Sequence, residues 1–172
     1  EGDKERFNKL NSNYGDFIST LNCYVNSTGK DSIDEIVNRN EFNDFKNLGV
    51  LSIDIDSYDY YIFYHLQIKP QIIVIEFNNS IPGHIDYKDP EGEVFIRCSA
   101  KSIQNLGFAK GYKSVACTVT NVILLREDCF DNLKHPDLPI EFLLDYEGMS
   151  ESNDINYTIM HSQMFTSKLF FS

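Results

Sequence analysis

Three carboxylates in this chain stand where an α/β sheet does its chemistry. Asp54 and Asp56 close the run Leu51-Ser52-Ile53-Asp54-Ile55-Asp56, and Glu76 closes Ile73-Val74-Ile75-Glu76. Both runs read as strands, and in open α/β sheets ligands bind outside the carboxyl ends of the strands. Gathered at one edge, like charges raise one another's proton affinity. Such a cluster can bind a hard divalent cation, grip hydroxyl groups or act as a general base. In a regular strand Asp54 and Asp56 point the same way, with Asp56 the farther out. An acid set between Ile53 and Ile55 is costly to desolvate without a partner or a task. The simpler alternatives are that Asp56 caps a helix and that Glu76 pairs with a base. Asn78 follows the second acidic strand, and Asn26 with Ser27 ends an earlier candidate strand. His84, in Ile81-Pro82-Gly83-His84, lies just beyond and is placed to reach a substrate, although a loop histidine commonly just faces solvent. Tyr58, Tyr60, Tyr61 and Tyr64 read as packing residues, each with an apolar body and a polar tip.

The elements that must position these groups alternate. Residues 3–12 form a short amphipathic helix, 18–25 a strand, and 31–37 a helix capped by Asp31 or Ser32. Residues 48–55 are nearly continuous in apolar side chains, as a strand covered on both faces requires. A helix over 57–66 follows, capped by Asp56 or Ser57, with Asp59 favouring its positive end. A second buried strand spans 71–77, and the Pro- and Gly-marked segment 78–97 is a long loop of the kind used as lids. A helix over 99–109 leads to strands 113–118 and 121–126, close enough to form an antiparallel hairpin. The order implies a Rossmann-like α/β fold: a mostly parallel sheet in three α/β/α layers, with a C-terminal antiparallel hairpin at its edge.

Composition narrows the function. The 172 residues allow one domain with a sizeable core. A net charge of −11 repels phosphate backbones and argues against nucleic acid as a partner. No apolar window is long enough to span a membrane. Residues 1–6 are too charged to be a signal peptide. Cys23, Cys98, Cys117 and Cys129 form no CxxC pair and have no metal-ligand spacing, so a reduced, cytoplasmic protein is the expectation.

The acidic strands also carry a resemblance. Leu51-Ser52-Ile53-Asp54-Ile55-Asp56-Ser57-Tyr58-Asp59-Tyr60-Tyr61, followed by Ile73-Val74-Ile75-Glu76-Phe77-Asn78, resembles the FkbM-type branch of the S-adenosylmethionine-dependent methyltransferases. Gly111-Tyr112-Lys113 leading to Thr120-Asn121-Val122-Ile123-Leu124-Leu125 is similar to that family's final hairpin, and Glu1-Gly2-Asp3 to the end of its second strand. The likeness covers residues 1–130, leaving 131–172 as an extension packed on the same domain. It implies that Glu1 grips the cofactor's ribose hydroxyls, with Asn26 and Asp54 beside it. Asp54 and Asp56 then border the transferred methyl, Glu76 and Asn78 position a small or sugar-like acceptor, and Tyr58 and His84 face the substrate. Methyl transfer to oxygen is in-line displacement, governed by positioning and helped by a base or divalent metal, for which Asp56 is the first candidate. Two departures stand out: many relatives carry Gly where this chain has Ser57, and the family's glycine-rich loop would lie before Glu1. Asp54-Ile55-Asp56 is also the bare DxD of metal-dependent nucleotide-sugar transferases. The same tripeptide fits an aspartyl phosphatase poorly, because a strand and two helices precede it. A Rossmann-like binding module without catalysis is the third reading. Neither the methyl acceptor nor the oligomeric state is legible.

Overall fold

A computed structural model describes residues 1–39, 48–133 and 136–144. The elements are α1 (Lys4–Tyr14), α2 (Ile33–Arg39), β1 (Val50–Ile53), α3 (Asp59–His65), β2 (Ile72–Glu76), α4 (Ala100–Ala109), β3 (Tyr112–Cys117), β4 (Asn121–Arg126) and α5 (Glu127–Phe130). Short 3₁₀ turns occupy Gly29–Asp31 and Ile140–Phe142. The expected extension beyond Leu144 lies outside the described residues.

The fold is α/β, built on a four-stranded mixed sheet in the order β1-β2-β4-β3. β1 and β2 run parallel, while β4 is antiparallel to both β2 and β3. Strands β1, β2 and β3 therefore share one direction, and β4 runs against them. The antiparallel strand is thus internal, not the edge expected from the hairpin. A hairpin whose second strand docks on β2 leaves β3 outermost. The register slips between Ser114 and Ala116, a bulge in that outer strand.

Register assigns the faces. Ile53 stands opposite Ile75, Ile75 opposite Val122, and Ile73 opposite Leu124. All five are essentially inaccessible, so alternation puts most of one face of the sheet inside, with Leu51 half-buried at its edge. Each such aliphatic side chain contributes roughly 1.5–3 kcal/mol by leaving water. Both crossover helices close on that face. Phe63 of α3 meets the Tyr112 ring edge-on at 6.0 Å, and α4 lays Gly107 on the Leu124 side chain. The opposite face carries half-buried Ile72, Val74 and Ile123, with Val50 55 % exposed. Among the described residues, then, α3 and α4 form one helical layer on one side of the sheet.

Caps decide where the helices start. Asp3 accepts from Arg6 N–H at 2.8 Å and starts α1, and Ser32 accepts from Glu35 N–H at α2, as expected. Ser99 does the same for α4 through Ser102 N–H at 3.1 Å. The expected cap of α3 differs: the helix begins at Asp59 behind Tyr58, which makes no side-chain cap, and neither Asp56 nor Ser57 fills that position. Residues 18–25 form no strand. Ile18 and Tyr24 are 53 % and 71 % exposed, and a β-prone run becomes a strand only where it can pair.

Gly111, between α4 and β3, sits at φ +82°, where a Cβ crowds the backbone. Gly111→Ala is expected to cost about 1 kcal/mol in denaturant unfolding, with little change in slope.

Candidate functional site

Parallel β1 and β2 end side by side, so residues 54–56 and 76–78 emerge at one edge of the sheet. The structure brings Asp54, Asp56 and Glu76 together there: one carboxylate oxygen from each lies within 4.8 Å of the others. This is the arrangement expected from the strand ends, reached differently. β1 stops at Ile53, so Asp54 and Asp56 belong to a turn, and Asp56 adopts φ +65°. Asp54 is exposed, not desolvated between its isoleucine neighbours. Its hydration removes the energetic problem that the sequence had posed.

The desolvated acid is Asp59, 2 % exposed at the start of α3. Its Oδ1 accepts from Ile55 N–H at 2.9 Å. Burial raises its carboxyl above the ordinary Asp value and Asp54 adds to the rise, while hydrogen bonds from Ile55 and its own backbone oppose it. The sequence reading placed Asp59 only as a favourable charge at a helix start and missed this role.

Glu76 has a basic partner. Arg97 Nη1 donates to Glu76 Oε2 at 2.6 Å. Arg97 itself sits at φ +69°, so both non-glycine residues of positive φ among the described residues, Asp56 and Arg97, belong to this cluster. Such conformations persist only where the surroundings over-determine them. Burial opposes the Arg97 charge, but the Glu76 hydrogen bond and the charges of Glu76, Asp56 and Asp59 outweigh it and raise its pKa. The Glu76 carboxyl is raised too, first by burial and then by Asp54 and Asp59, against the pull of Arg97. Both directions hold together because one guanidinium faces several carboxylates and cannot neutralise them all.

That imbalance has a measurable sign. A carboxyl raised in the fold holds its proton longer folded than unfolded, so its contribution is complete below the ordinary value of 4.5 and is lost as pH rises through the folded value. Glu76→Gln keeps an acceptor for Arg97 and removes the charge. Relative to wild type, its melting temperature is expected to be more favourable at pH 7 than at pH 4, read by thermal melts at both.

Arg97 is delivered by the 78–97 loop, which is tightly braced. Buried Asp89 accepts from Phe95 and Arg97 N–H at 2.7 Å, from Ile96 N–H, and from the Tyr87 hydroxyl at 2.9 Å. The Tyr61 hydroxyl donates to Asp89 O at 2.7 Å, and Gly92 N–H donates to the Tyr58 hydroxyl. Asn78 belongs to the same bracing: it donates to Ile96 O and accepts from Ser80 N–H, both at 2.9 Å. Its side chain is thus engaged in shaping the loop. His84 is exposed in the Pro82–Ile85 turn, and it does not line the cleft described next.

Beside the acidic turn opens a cleft of about 610 Å³. It is walled by Glu1, Gly2 and Arg6, by residues 23–26, and by residues 54–58. Glu1, Asn26 and Asp54, read from the sequence as cofactor contacts, share this cleft with Asp56 and Tyr58. Asp3 N–H holds the Glu1 carboxylate at 3.0 Å, and Asn22 and Cys23 bond its carbonyl. Gly2 lets the Tyr24 ring press on the backbone, since a Cβ there would fall 2.3 Å from the ring.

The four cysteines are free thiols. Burial pushes Cys98 and Cys117 up to about 12, which leaves both as unreactive thiols at neutral pH. No helix among the described residues is long and apolar enough to cross a membrane. Comparison of the chain with protein-family models, with curated proteins and with solved structures finds no match.

Proposed function

We propose that this chain is a methyltransferase-like domain that binds S-adenosylmethionine in the cleft beside Asp54 and directs O-methyl transfer to a small or sugar-like acceptor. The observation that carries the reading is the convergence of Glu1, Asn26 and Asp54 on one cleft whose floor continues into Asp56. Their volume and donor set suit a nucleoside: a cleft of about 610 Å³ is in the range of small-ligand sites, and a fixed carboxylate with an amide can take a pair of ribose hydroxyls. The exposed Tyr24 ring adds a flat apolar surface. The sheet also supports it, because a reversed β4 between like-directed β2 and β3 suits the terminal hairpin that the resemblance implies. A finer assignment to a Rossmann-like, three-layer fold belongs to the same proposal.

In this reading Glu1 and Asn26 hold the cofactor, which supplies an electrophilic methyl group. Asp54 and Asp56 border the reacting centre, and Asp56 accepts the proton of the attacking hydroxyl. Glu76, with its carboxylate fixed by Arg97, orients the acceptor. The protein's work is chiefly alignment, since displacement at carbon needs its two reactants in line.

One observation favours a second reading. The mutual approach of the Asp54, Asp56 and Glu76 oxygens suits a hard divalent cation, as a metal-dependent nucleotide-sugar transferase requires. Calorimetric titration separates the two. S-Adenosylhomocysteine is expected to bind with micromolar affinity, weakened about tenfold by Asn26→Ala. Saturable binding of a nucleoside diphosphate sugar only with manganese would support the second reading instead. Absence of both interactions would leave a non-catalytic binding module.

A further inference from the structure

We infer that Asp59 is the positioning residue of the acidic edge: its buried carboxylate, bonded to Ile55 N–H, holds the 54–56 turn in the conformation that aims Asp54 and Asp56 at the cleft.

Several observations carry this. Asp59 is 2 % exposed, while Asp54 and Asp56 on the turn above it are open to solvent. The anchored atom, Ile55 N, lies between the two exposed acids, so one hydrogen bond of 2.9 Å governs both. Asp56 sits at φ +65°, a conformation an aspartate leaves readily unless something holds it. β1 ends at Ile53, so ladder bonds to β2 do not extend to the turn. Ile55 packs against the core and leads into α3, whose first residue is Asp59 itself. The helix start and the turn are therefore locked to each other through one side chain. A carboxylate kept out of water costs free energy that a purely structural residue could avoid. Asparagine would offer the same acceptor without charge, so the geometry makes a definite statement about substitutions.

This inference deepens the cleft reading, and its effect on ligands rests on that reading, but its structural core is tested separately. In the wild-type chain, the Ile55 amide is expected to exchange with deuterium at least about 100-fold more slowly than an open amide. Scalar coupling is expected to report a positive φ at Asp56. Rapid exchange at Ile55 in a folded wild type would overturn the inference without any variant. Asp59→Ala is expected to release Ile55 and average the Asp56 backbone. Asp59→Asn, which keeps the acceptor, should preserve both signatures. If the alanine variant does not fold, the asparagine variant decides: a folded Asp59→Asn that loses Ile55 protection overturns the inference, and retention supports it. Ligand consequences are read with S-adenosylhomocysteine: Asp59→Ala should weaken binding about 10–100-fold, with Asp59→Asn within about threefold of wild type. Equal affinity in a folded alanine variant would overturn the aiming role. Failure of the wild type to bind that probe would sink the cofactor reading alone, because Ile55 exchange and Asp56 coupling still decide the role of Asp59.

Discussion

Asp89→Ala is expected to destabilise the protein by about 3–5 kcal/mol and to free Arg97 from Glu76. The buried carboxylate accepts from three consecutive backbone amides, at Phe95, Ile96 and Arg97, and from the Tyr87 hydroxyl. Truncation leaves those donors without their acceptor, and each half-buried donor left unmet costs about 1–3 kcal/mol. Not every donor pays in full, since a loop can relax toward water, which sets the lower end of the range. A small domain has only about 5–15 kcal/mol in total, so this one side chain carries a large share. Asparagine separates geometry from charge. Its Oδ1 can serve the amides while its NH₂ donates to a Tyr87 hydroxyl that turns to accept, so Asp89→Asn should lose about 1–2 kcal/mol. Denaturant unfolding of the three proteins checks the order. Equal losses in alanine and asparagine variants would mean that charge, not the acceptor pattern, holds the loop.

The second large effect concerns chemistry. Asp56→Asn is expected to lower methyl transfer at least about 100-fold while leaving the melting temperature within a few degrees. Asp56 is open to solvent at the cleft, with its carboxylate oxygen near those of Asp54 and Glu76, so its loss removes little packing. Asparagine keeps the size and the tolerance of positive φ, but it cannot take a proton from an attacking hydroxyl. S-Adenosylhomocysteine affinity should change little, because Glu1 and Asn26 hold that ligand in the proposal. Undiminished turnover in a folded Asp56→Asn protein would remove Asp56 from the mechanism.

Much of this was legible in the sequence wherever the signal was local. The apolar runs ending in Asp54 and Glu76 gave β1 and β2, and their parallel pairing followed from the helix between them. Helix α4 and the hairpin were legible from the apolar Ile103, Leu106 and Phe108 ahead of Gly111 and from two β-prone runs with a short break, whereas the Ser99 cap was not. Local reading failed where the deciding partner is distant. Residues 18–25 have strand propensity but pair with no strand, although Cys23 and Val25 are half-buried and Val25 packs against the core, so propensity alone misplaced them. Asp54 sits between two isoleucines in sequence yet faces water, because the strand ends one residue earlier. Arg97 meets Glu76 across 21 residues, a separation at which no spacing rule operates. Asp89 was readable in principle. It opens Asp89-Pro90-Glu91-Gly92, a turn in which an aspartate commonly bonds downstream amides. Asp59 was not readable, since its bond runs backwards to Ile55 and its burial depends on α3 closing over the sheet.

The proposed cofactor site is the cleft walled by Glu1, Gly2, Arg6 and residues 23–26 and 54–58. Titrating the isotope-labelled protein with S-adenosylhomocysteine while following backbone amide resonances tests it. The expected result is a saturable set of shifts centred on Gly2, Tyr24, Asn26 and Ile55 to Tyr58, with the α4–β3 surface unmoved. Absence of shifts at millimolar ligand, or shifts gathered around Gln104, Ser114 and Leu138 instead, would contradict it.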